Sequence, residues 1–171
     1  MRLESGFTIV ELMIGIAILA FMMGVAVPNF TIWIQNLQIR AGAEGILSGL
    51  QVARTEAVRR NVNVQLALTS PPQTGWAVSV PATGETVQSR PASEGAANAI
   101  VNIAGGGTTV TFNGLGRRVN NADASPLIDQ IDVDSSVLAA ADSRELRIVI
   151  GTGGTIRLCE PAVASGDPRA C

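Results

Sequence analysis

Histidine, lysine and tyrosine are absent from the 171 residues, and aromatic residues make up only 4%. Each absence closes a class of function. Without histidine there can be no Ser-His-Asp triad, no Cys-His dyad and none of the commonest zinc ligand sets. Without lysine there is no P-loop lysine and no Schiff-base nucleophile. With so few rings, a stacking platform for single-stranded nucleic acid is not expected. Two cysteines cannot make a structural zinc site alone. The 12 basic residues, all arginine, stand against 14 acidic ones, a formal net charge of −2. No overall basic field therefore draws the chain to DNA or acidic lipid. No cofactor and no metal are expected, and the chain reads as a non-enzyme.

What is present is hydrophobicity, unevenly spread. From Leu12 to Val27 every residue is apolar or glycine. With Phe7 to Val10 ahead of it, the run reaches about 20 residues, enough to cross a hydrocarbon core of roughly 30 Å. A secretory signal would have a longer basic stretch, a shorter apolar core and a small-x-small cleavage site. This block instead begins almost at the N-terminus and continues past Pro28 toward Ile34, so it reads as a retained membrane helix. Arg2, ahead of the block, favours a cytoplasmic N-terminus. Glu11 interrupts the block, and a carboxylate in hydrocarbon costs several kcal/mol unless it is paired. Either it snorkels to the interface, or a cation neutralises it. No arginine lies within two turns after it, but an amino terminus at Phe7 would stand four residues away.

The run Gly6-Phe7-Thr8-Ile9-Val10-Glu11-Leu12 resembles the processing site of type IV pilins and type II secretion pseudopilins. The resemblance implies that a prepilin peptidase cuts between Gly6 and Phe7 and methylates the new N-terminal Phe7. Residues 1–6 would be leader peptide, 7–34 a transmembrane and filament-core helix, and 35–171 a periplasmic globular domain. It implies that Glu11 pairs with the amino terminus of the subunit below during assembly, and that Pro28 marks a stretch able to extend inside the filament. Ala20 and Gly24 form a small-xxx-small pair suited to close helix packing.

Beyond Pro28 the helix is expected to continue to about Arg60. Ile46, Leu50, Ala53 and Ala57 form one apolar face, and Glu56 and Arg60 an i,i+4 pair. Gly42, Gly45 and Gly49 share a face, which suits either close packing there or a bend. Arg54, Arg59 and Arg60 read as a contact patch or a solvated helix end. From Asn61 the pattern becomes short strands: Val62 to Leu66, Trp76 to Val80, Ile100 to Ile103, Thr108 to Phe112, Ile128 to Val133, Glu145 to Ile150 and Thr155 to Cys159. The last two flank Gly151-Thr152-Gly153-Gly154, a hairpin turn. Residues 92–98 and 120–125 read as surface loops. The expected fold is α+β: a long N-terminal helix, transmembrane in its first half, packed on an antiparallel β-sheet or small β-sandwich. In a domain outside the cytoplasm, Cys159 and Cys171 read as a disulfide; buried free thiols are the alternative.

Three body segments narrow the family. Residues 51–61 resemble the helix end of the GspH/FimT/FimU group, an Ala-Arg-x-Glu-Ala run followed by Arg-Asn. Thr111 to Arg117 is similar to its Phe-x-x-x-Gly-Arg strand and turn, and Gly154 to Cys159 to its closing Gly-Arg-x-Arg-x-Cys segment. The resemblance implies a minor pilin or pseudopilin that helps initiate or cap a type IV pilus. One alternative is a GspH-like pseudopilin of a type II secretion system; another is a FimT-like subunit that binds DNA during uptake. In that last case Arg157, with Arg117 and Arg118, would touch DNA, but Thr155 stands where the first arginine of the DNA-binding element belongs. The bland reading of Arg157 is a hairpin residue paired with Glu160. Expected partners are other pilins or pseudopilins, the prepilin peptidase and the inner membrane, crossed once with the N-terminus cytoplasmic and the body periplasmic.

Overall fold

The computed structural model describes residues 7–171, less the side chains of Val25 and Pro28. One helix, α1 (Ile9–Arg60), precedes nine strands: β1 (Val64–Leu68), β2 (Trp76–Val80), β3 (Glu85–Arg90), β4 (Ala99–Asn102), β5 (Thr109–Phe112), β6 (Arg118–Val119), β7 (Gln130–Ser135), β8 (Leu146–Ile150) and β9 (Ile156–Cys159). The chain divides into two compact units, one ending at Ile34 and the other running from Gln35 to Cys171.

Both ends of α1 are capped by side chains suited to the task. Thr8 is the N-cap: its hydroxyl accepts the Glu11 N–H at 3.2 Å, and its carbonyl accepts the Leu12 N–H. At the other end Asn61 takes a left-handed conformation (φ 53°). There the Val62 N–H donates to the Ala57 carbonyl and the Asn61 N–H to the Val58 carbonyl, the paired bonds of a Schellman ending. Asparagine is among the few side chains that tolerate this geometry, so Asn61 stops the helix and turns the chain into β1.

Two antiparallel sheets follow, ordered β3-β2-β1-β5-β6 and β4-β7-β8-β9. The body is thus α+β, with part of the helix packed on two small sheets. Along α1, Ile39, Ala43, Ile46, Leu50, Ala53 and Ala57 are fully buried at alternating four- and three-residue steps. They meet Leu66, Val78, Val110 and Phe112 of the first sheet and Ile131, Val133 and Ile148 of the second in one core. The glycine face is a packing device. A Cβ at Gly49 would lie 3.0 Å from the Trp76 ring, and one at Gly42 3.0 Å from Thr74 Cγ2; one at Gly45 would strike the Arg90 guanidinium. Close approach of side chains explains all three: from the first sheet at Gly45 and Gly49, and from Thr74 before β2 with Ala96 and Ala99 around the start of β4 at Gly42.

Several sequence expectations are corrected here. The first strand begins at Val64, not Val62, because the helix cap occupies residues 61 and 62. The strand expected from Ile128 runs instead from Gln130 to Ser135. The sequence reading does not include β3 and β6: β3 is mostly polar and exposed, with only Val87 and Arg90 half-buried, and β6 has two residues. The segment 120–125 is not wholly surface. Asn121 is buried, accepting from the Thr111 hydroxyl at 2.9 Å and donating to the carbonyls of Thr109, Ser125 and Pro126.

Candidate functional site

Two regions hold the residues singled out in the sequence. The first is the start of the chain. Gly6 lies outside the described residues, whereas Phe7 stands just before the N-cap and is 85% exposed. Glu11 occupies the third position of the first helical turn, where the positive end of the helix dipole favours a carboxylate. Among the described residues no ion pair involves Glu11. Ile9, Leu12, Ile16, Leu19, Phe21 and Met23 are all exposed, as are Phe30 and Trp33 after them. This helix is long and apolar enough to cross a membrane. A bare apolar surface of this length is not a soluble one; it needs lipid or other helices around it.

The second region joins the three body segments. From α1, the Arg54 Nε donates to the Gly116 carbonyl at 3.2 Å. Gly116 itself has φ +69°, and the turn beside it packs on the helix cap so closely that a Cβ at Gly114 would collide with Asn61. Gly154, at φ +82° in the β8–β9 hairpin, lies against the Gly116 carbonyl, leaving no space for a Cβ. The Arg118 N–H donates to the Thr152 carbonyl at 3.3 Å. Helix end, central turn and closing hairpin therefore meet at one node that ties both sheets to α1. The turn is stiff: the Asn113 Oδ1 accepts the N–H groups of both Leu115 and Arg117. Thr8, Asn61 and Asn113 were not singled out for these roles. The Thr-x-x-Glu spacing before an apolar run would have marked Thr8.

The three arginines considered for DNA contact differ. Arg118 donates to the Ile128 carbonyl at 2.7 Å and is half-buried, a structural role. Arg157 is exposed, and its guanidinium donates to the main-chain oxygen of Cys171 at 2.8 Å. It does not pair with Glu160, which is bound by Arg169 instead. Arg117 is exposed. Cys159 and Cys171 form a disulfide, and Glu160 N–H donates to the Arg169 carbonyl within the loop it closes.

The two carboxyls displaced furthest from their ordinary values sit in ion pairs. Hydrogen bonds from Arg59 and Arg60 hold the Glu56 carboxyl down to about 2, and one from Arg169 lowers Asp167 to about 2. Burial, then the charges of Asp132 and Asp134, pushes Glu145 up. Among the described residues no group of three or more His, Cys, Asp or Glu side chains is placed to hold a metal ion.

Residues 42–170 match the family described as type II transport protein GspH, and residues 1–27 match the prokaryotic N-terminal methylation motif. Two crystal structures of the type IV minor pilin FimU of Pseudomonas aeruginosa strain PAO1 share the fold. In one crystal form the identity is 19% and the TM-score 0.55, over 78% of this chain and 94% of that one. In the other, the identity is 18% and the TM-score 0.53, over 77% and 98%. No curated protein matches the chain by sequence.

Proposed function

The chain belongs to the GspH family, and from that premise we propose that it is a minor pilin, a structural subunit that helps initiate or cap a type IV pilus. Its chemistry is done to it and not by it. A prepilin peptidase removes residues 1–6 and methylates the amino group of Phe7. Before assembly the apolar half of α1 sits in the inner membrane, with the N-terminus cytoplasmic and Gln35–Cys171 in the periplasm. On assembly that half moves from lipid into a core of neighbouring helices.

The observation that carries this reading is the juxtaposition of Glu11 with a bare apolar helix. A carboxylate in the first turn is tolerable beside the helix dipole but costly in hydrocarbon, and the amine of a cleaved neighbour would neutralise it. Cleavage therefore comes first, since it creates the amine. The FimU likeness supports the pilus over the secretion system, and the family match keeps the GspH-like pseudopilin as the alternative. DNA binding is less well supported: Arg118 and Arg157 each spend a guanidinium on a main-chain oxygen, and phosphate binding needs several free cations.

Co-expression with a prepilin peptidase tests the first step. The intact mass of the membrane-extracted chain should fall by residues 1–6 and rise by one methyl group. An unprocessed mass would contradict the proposal, and Gly6→Val should leave the leader attached.

A further inference from the structure

From Leu12 to Ile39 no side chain is charged. That stretch is about 42 Å of helix set against a hydrocarbon core of roughly 30 Å, so charge alone leaves the depth of α1 in a bilayer open by about 12 Å. Apolar composition narrows it little, since Ile32, Ile34, Leu37 and Ile39 continue it beyond Pro28. A membrane peptidase that cuts one bond nevertheless needs that bond at one height.

Phe30 and Trp33 can fix it. They lie three residues apart on one side of α1, 59% and 56% exposed, with ring centroids 5.6 Å apart and planes tilted by 33°. Trp33 is the one tryptophan ahead of the body; the other, Trp76, is buried in the core. An indole joins a large apolar body to one N–H donor, and it settles where hydrocarbon meets the headgroup layer. The residues ahead of the pair suit such a boundary. Leu19, Phe21, Met22, Met23 and Val27 are apolar and exposed. Polar side chains resume only at Asn29 and Thr31, and the Thr31 hydroxyl donates to the Val27 carbonyl at 3.1 Å, so it carries no loose donor into the hydrocarbon. Glu11 lies 22 residues before Trp33, about 33 Å along the helix. That is the thickness of the core with a slight tilt, and it brings Glu11 to the opposite headgroup layer. A carboxylate keeps its hydration there, which removes the cost of a charge in the apolar block until assembly.

We propose that Phe30 and Trp33 are the depth anchor of the precursor: they bind the headgroup layer of the periplasmic leaflet and thereby hold Glu11 and the Gly6–Phe7 bond at the cytoplasmic one, in reach of the peptidase. The inference rests on the pilin reading and adds a lipid-binding surface to it. The two rings touch no reacting atom, and their role in processing is positioning.

The test uses the full chain in phosphatidylcholine vesicles brominated either near the glycerol or near the methyl end of the acyl chains. Trp76 is shielded in the core, so bromine quenching reads Trp33. Shallow bromines should quench about twofold more strongly than deep ones. Stronger quenching from the deep positions, or none from either, overturns the anchor. Co-expression with the peptidase reads the consequence. Trp33→Leu with Phe30→Leu keeps the helix and its apolarity but loses the interfacial preference, and leader removal should slow severalfold. Trp33→Tyr alone should retain the wild-type rate. A doubly substituted chain processed as fast as wild type overturns the positioning role. If wild type is processed while the deep bromines quench best, the anchor fails and the pilin reading stands. If wild type is never processed, the pilin reading fails and the inference with it.

Discussion

Gly154 sits where the closing hairpin touches the central turn, and its environment forbids even a methyl group. Its φ of +82° strains any L side chain, and a Cβ would run into the Gly116 carbonyl. Gly154→Ala should therefore lower stability by about 1–3 kcal/mol from backbone strain, with the collision adding to it. Gly153→Ala, one residue away in open space, should change it by no more than about 0.5 kcal/mol. Denaturant midpoints of the full chain in detergent, followed by the fluorescence of buried Trp76, would separate the two. The ion pairs give a second prediction at this scale. Glu56 and Asp167 titrate at about 2 in the folded chain, below their ordinary 4.5 and 3.8. A depressed carboxyl stabilises above its unfolded value and loses that contribution as pH falls through the folded one. The thermal midpoint should accordingly be flat from neutrality to about pH 5 and decline between about 4.5 and 2. Glu56→Gln should flatten part of that decline.

Within elements, α1 holds the clearest conflict between local and tertiary preference. Glycine in a helix costs roughly 1 kcal/mol against alanine, so Gly49→Ala would ordinarily stabilise. Here the added methyl would press on Trp76 and Leu66, and the net change should be a loss of about 1–3 kcal/mol. A raised denaturation midpoint would contradict the packing described for this face. The same helix shows what sequence can convey. Its buried face follows from the spacing of Ile46, Leu50, Ala53 and Ala57, and the glycine stripe announces close packing without naming Trp76 as the neighbour. Trp76 to Val80 alternates and is legible as a strand. β3 is not, because Glu85 to Arg90 lies at a sheet edge where Val87 is the one apolar side chain, so no hydrophobic period marks it. The burial of Asn121 was hidden for a related reason: a polar loop residue reads as solvated until its partners Thr109, Thr111 and Ser125 fold around it. At the candidate site, Phe7 and Glu11 were legible because an acid in an apolar block is conspicuous. The node of Arg54, Gly116 and Gly154 was not, since its members are far apart in the chain and meet only after both sheets form.

On the scale of the whole molecule, the two units divide the work. The body is closed by the Cys159–Cys171 bond across a short loop, which limits its unfolded state and contributes up to about 3 kcal/mol. Reduction should speed amide exchange in 159–171 and β9 first, leaving α1 and the first sheet protected; uniform loss of protection would contradict that local role. The segment before Gln35 has the opposite character, since its described apolar side chains from Phe7 to Phe30 are all exposed. On the proposed reading that segment acts between molecules, and Glu11 is the residue on which that reading turns. The decisive measurement compares wild type with Glu11→Ala in a piliated host, following leader removal, membrane retention and the amount of chain in sheared filaments. Glu11→Ala should be processed and membrane-bound like wild type but largely missing from filaments. Incorporation at the wild-type level would contradict the pairing of Glu11 with a neighbour's amino terminus.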